Sequence, residues 1–145
     1  MLRLPRQGGT QGVVTSTLAE VHLASERPDE GLQAVSHGLT LGQETGQRGY
    51  EARLQHLRGE LLLMQNSSNA EGAESCFRTA VEIARRQGAK LFELKATNSL
   101  ARLLAKQSRR DEARVMLADI YNWFTEGFDT ADLKDAKTLL DELSA

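Results

Sequence analysis

One cysteine, Cys76, leaves the chain with no internal disulfide to form, and a lone thiol fits a reducing, cytoplasmic setting. Long apolar runs are also missing. The longest are four residues, Leu61–Met64 and Val115–Ala118, against the ~20 that a membrane-spanning helix needs. Neither sign of charge prevails: 18 Lys+Arg face 20 Asp+Glu for a net charge of -2. That balance argues against a basic nucleic-acid binder and against an acidic tail. The opening "MLRLPRQGGTQGVV" has two arginines but lacks the apolar core of a secretory signal. Two prolines and a shortage of β-branched runs leave little room for strands. What remains is 145 residues, 40% apolar, one domain's worth of chain with enough material for a core. The chain reads as all-α.

Helix signals are spread along its whole length. Val14, Leu18, Val21 and His22 recur at helical spacing over 13–25, and the pattern breaks at "SERPDE", where Pro28 suits a first helical turn. A second helix runs from about Pro28 to Glu44 and stops at Gly46. A third covers Tyr50 to Gln65. Ser68, with Glu71 three residues on, forms a capping box for the fourth, which ends at Gly88. The fifth spans Leu91 to Lys106 and the sixth Arg110 to Phe124. Asp129 is placed to cap a short amphipathic seventh, with Leu133, Ala136, Leu139, Leu140 and Leu143 on one side.

The helices repeat. Ala19, Gly59 and Ala101 stand on the odd helices, 40 and 42 residues apart. A second small residue follows each on the next helix: Gly31, Ala73 and Ala113, at 12, 14 and 12 residues. Four residues beyond come Val35, Phe77 and Leu117, and seven beyond come Gly38, Ala80 and Ile120. Small residues let helices cross closely, and the larger one a turn later fills the gap beside the crossing. The stretch "AESCFRTAVEIARRQGAK" is built this way, floored with Ala73, Cys76, Phe77, Ala80 and Ala84.

This pattern resembles the tetratricopeptide repeat over about residues 10 to 124. The repeat is longer than the family's usual ~34 residues, lacks its closing proline, and has Arg58 where leucine is common. "LRGELLL", "ELKATNSLARLLAKQSRRDEAR" and "YNWFTEGFDTADLKDAKTLLDEL" look like the C-terminal repeat array of large bacterial signalling ATPases, although no ATPase or cyclase motif accompanies them. The resemblance implies an all-α, right-handed superhelical stack of antiparallel hairpins in a single domain. Residues 1–12 would be a lead-in, 13–46, 50–88 and 91–124 three repeats, and 129–144 a capping helix.

No residue set points to catalysis. "GGTQG" has no following Lys-Ser/Thr and no preceding strand, so it is not a phosphate loop. His22, His37 and His56 are too scattered for a metal triad, and His22 falls at an inward repeat position. Cys76 has no adjacent base and reads as a structural thiol. The carboxylates of "TEGFDTADLKD" read as turn and cap groups. "ARRQGAK" and "SRRDEAR" mix signs or sit at helix ends, which does not make a nucleic-acid interface. No cofactor or metal is expected.

The expectation is therefore a non-enzymatic module for protein or peptide interaction in bacterial signalling, or an effector-sensing or oligomerisation segment of a larger regulatory ATPase. In tetratricopeptide arrays the concave groove is lined by outward positions of the odd helices. Aligned on the anchors, these are Ser16 and Glu20, then Arg53, His56, Glu60 and Met64, then Lys95, Asn98, Arg102 and Lys106. The last four rise along one helix face and suit an acidic segment or a C-terminal carboxylate. Val14, Leu18 and Val21 have no helix before them to cover them, which predicts a homodimer through the N-terminal face. No nucleic acid and no membrane are expected as partners.

Overall fold

The computed structural model describes residues 18–46 and 48–145. Among them are seven α-helices and no strand: α1 (18–24), α2 (Pro28–Thr45), α3 (Glu51–Gln65), α4 (Ala70–Gln87), α5 (Lys90–Lys106), α6 (Arg110–Tyr121) and α7 (Ala131–Leu143). Readings placed on residues 1–17, including "GGTQG", Val14 and Ser16, lie outside the described residues. The chain divides into two compact units with the boundary between Cys76 and Phe77, inside α4. In the first unit α2 packs on α3; in the second α5 packs on α6 and α7 lies against both.

The repeat positions behave alike. Ala19, Gly59 and Ala101 are buried, as are Gly31, Ala73 and Ala113, the larger Val35, Phe77 and Leu117, and finally Gly38, Ala80 and Ile120. Gly31 shows why the slot must be small. A Cβ added there would lie 2.6 Å from Leu61 Cδ2 and 3.3 Å from His22 Cβ.

The turns repeat as well. Seven residues after Ala19 and Ala101 stand Glu26 (φ 57°) and Ser108 (φ 61°), both left-handed. The next amide in each case closes the preceding helix by a six-to-one hydrogen bond, Arg27 N to His22 O at 2.7 Å and Arg109 N to Leu104 O at 2.9 Å. The middle hairpin has two more residues between its small positions, and there a 3₁₀ turn, Ser67–Asn69, is inserted. Asn66 accepts the Ser68 amide at 3.0 Å and caps this 3₁₀ turn, which takes in Ser68 ahead of α4. α2 and α4 end alike too: Gly46 (φ 75°) and Gly88 (φ 67°) each lie fifteen residues past the small residue of their helix.

Two expected boundaries shift. α6 ends at Tyr121 instead of Phe124. The residue before α7 is Thr130, not Asp129, and its hydroxyl donates to Gly127 O at 2.8 Å instead of capping the helix.

Ala19, Val35, Leu54, Leu57 and Leu61 form the first unit's core, with Leu23, Leu32, Leu39 and Tyr50 packed around it. In the second unit Phe77, Leu94, Leu100, Leu104 and Leu117 are fully enclosed.

Candidate functional site

The buried polar residues of the described chain, Glu93, Thr97, Asn98 and Ser99, all belong to α5. Burying such groups is costly unless they are paired. Glu93 is paired: Arg85 Nε reaches Glu93 Oε2 at 2.9 Å and Lys90 Nζ stands 3.5 Å from Glu93 Oε1. This cluster ties the end of α4 to the first turn of α5. Sequence reasoning had not singled out Glu93. Its signal was the spacing of Arg85 and Lys90 around it across the Gly88 turn.

Further along α5, Lys95, Asn98 and Arg102 follow at three- and four-residue intervals, as expected of one helix face. That face meets the first two turns of α7. Lys95 Nζ lies 2.9 Å from Asp132 Oδ2, and Arg102 Nη2 lies 3.8 Å from Asp135 Oδ2. Asn98, only 3% exposed, donates through Nδ2 to Asp132 O at 3.2 Å, while its Oδ1 accepts no hydrogen bond from the described residues. The predicted basic groove of α5 is thus a pairing surface for α7 carboxylates. Lys106, at the end of α5, is exposed.

In the first unit the corresponding face of α3 is paired within the unit. Arg53 forms an ion pair with Glu20 of α1, and His56 Nε2 lies 3.5 Å from Glu60 Oε1 one turn on. Met64 is exposed at the helix end. Each unit brings its own predicted residues onto one face.

The remaining groups are structural in character. Cys76 is buried, and burial pushes its thiol above the ordinary value, outweighing the opposite pull of Arg58. A raised thiol is a poor nucleophile at neutral pH. His22 is mostly buried, with Nδ1 3.3 Å from Glu30 Oε2. Among the described residues no group of three or more His, Cys, Asp or Glu is arranged to hold a metal ion, and no helix is long and apolar enough to cross a membrane.

An open cleft between the start of α6 and the end of α7 is lined by Arg109, Arg110, Arg114 and Leu143 among others. Its cations are locally engaged. Arg109 pairs with Glu112 at 2.8 Å, Arg110 donates to Glu142 O at 2.7 Å, and Arg114 lies 3.3 Å from Asp111. The cleft is a set of helix-end contacts, not a built anion site.

No family model, curated protein or solved structure matches this chain.

Proposed function

We propose that the protein is a non-catalytic helical-repeat module of tetratricopeptide type that binds an acidic protein segment or peptide, acting in bacterial signalling. One observation carries this reading. The α5 face formed by Lys95, Asn98 and Arg102 already holds two carboxylates and a main-chain carbonyl of α7. A surface that receives one acidic helix has the hydrogen-bond donors and charges to receive another.

The test is fluorescence anisotropy with labelled acidic peptides, some ending in a free carboxylate. Binding should weaken as salt rises, and Arg102→Glu should abolish it while leaving the unfolding midpoint nearly unchanged. Equal affinity in the parent and that variant rejects the α5 face as the binding surface.

A second reading, a homo-oligomerisation segment of a larger regulatory ATPase, is favoured by the half-exposed Leu18 (45%) and Val21 (52%), one turn apart on α1. An apolar pair of this kind suits a contact between copies.

A further inference from the structure

We infer that α7 is a displaceable internal ligand of the α5 face, and that an acidic amphipathic helix from a partner competes with it for that place. The inference rests on the peptide-binding reading and adds to it the shape of the partner and the means of control.

α7 displays the features such a partner needs. Asp132 and Asp135, three residues apart, meet Lys95 and Arg102, while Leu133, Ala136, Leu139 and Leu143 form the buried side of the same helix. Its fit is nevertheless incomplete in three respects. Asn98, which donates to Asp132 O through Nδ2, keeps its buried Oδ1 without a donor. Arg102 and Asp135 are both about half exposed and 3.8 Å apart, so water and salt reach the pair. Thr130, preceding α7, spends its hydroxyl on Gly127 O and makes no side-chain cap to the helix.

α7 therefore owes part of its occupancy to being tethered, which presents it at a high effective concentration. A free helix that keeps the acidic pair and adds an amide or hydroxyl donor for Asn98 Oδ1 would make the hydrogen bond that α7 leaves unmade. Binding would then be gated. The face opens to a partner only when α7 lifts away, and weakening the α7 carboxylates raises affinity for the partner without touching the partner's own contacts.

The probe is a labelled synthetic peptide of residues 130–145, titrated into the full chain and into the double variant Asp132→Lys/Asp135→Lys. In the variant the docked helix is repelled by Lys95 and Arg102. The peptide should bind the variant at least tenfold more tightly than the parent, and a peptide carrying the same two lysines should bind neither. Equal affinity for variant and parent overturns the inference. Because the double variant can lose its fold, hydrogen exchange on the unaltered chain supplies a second reading. Amides of α7 should exchange through local opening ahead of those of α5, and exchange of both at one common rate overturns the inference as well.

The two proposals fail separately. Acidic partner peptides that bind parent and variant equally well uphold the peptide-binding reading and remove the gate. If the 130–145 peptide binds the variant and no other acidic peptide binds either protein, the gate stands and the peptide-binding reading falls.

Discussion

Ser108 holds a left-handed backbone, φ 61°, at the turn between α5 and α6, where a side chain with a Cβ is under strain and glycine is not. Ser108→Gly should therefore stabilise the protein by about 0.5–1 kcal/mol in chemical denaturation. Gly88→Ala, at φ 67°, should cost about 1 kcal/mol or more by the same logic. In the core, Phe77 is fully buried, and Phe77→Ala should cost about 3–5 kcal/mol. Gly31→Ala tests the small slot from the other direction. The new methyl must displace the enclosed Leu61, 2.6 Å from its Cδ2, at about 1–3 kcal/mol. Values within about 0.5 kcal/mol of the parent for both Phe77→Ala and Gly31→Ala would mean that the repeat positions are not packing positions. Cys76, buried with a raised pKa, should react with a thiol reagent far more slowly in the folded chain than in denaturant.

Between helices, Glu112 joins α6 to α4 and to its own turn. Arg78 and Arg109 each donate to it at 2.8 Å. The hydrogen bond from Arg78, then that from Arg109, holds the carboxyl below its ordinary pKa. A depressed carboxylate contributes stability that is present above the unfolded-state pKa and is lost as pH falls through the lower folded value. The acid limb of the stability profile, at and below about pH 4, should consequently be shallower in Glu112→Gln than in the parent. An unchanged limb would show that the pair is too exposed to matter, as many surface pairs are. The same element scale explains the odd turn out. Two extra residues in the middle hairpin cannot be absorbed by the six-to-one closure of its neighbours, so they form the 3₁₀ turn at Ser67–Asn69.

For the whole molecule, the half-exposed Leu18 and Val21 favour pairing of copies. Sedimentation at high micromolar concentration should give a dimer, and Val21→Glu should shift it to monomer, since a charge cannot enter an apolar seam without a partner. A parent chain that sediments as a monomer removes this surface from consideration.

Helix content, and the three-fold recurrence of small and large residues, were legible in the sequence because periodicity of 3.6 and the burial of small side chains at crossings are local consequences of residue type. Gly46 was legible as a stop for the same reason: only its own backbone freedom is involved. The 3₁₀ turn ahead of α4, capped by Asn66 and taking in Ser68, was not legible, because a short polar run of Asn and Ser can turn in several ways. Lys95, Asn98 and Arg102 could be placed on one face by counting. That this face meets Asp132 and Asp135 could not, since those residues lie more than thirty positions from their partners, and an acidic helix turn looks alike whether it faces water or a cation. Glu93 was hidden for a similar reason, its burial being a property of the elements around it. Sequence alone determined the helices and their repeat, because those follow from local spacing. Tertiary structure decided which charges meet and which carboxylates fill the basic face, because that depends on where the chain returns.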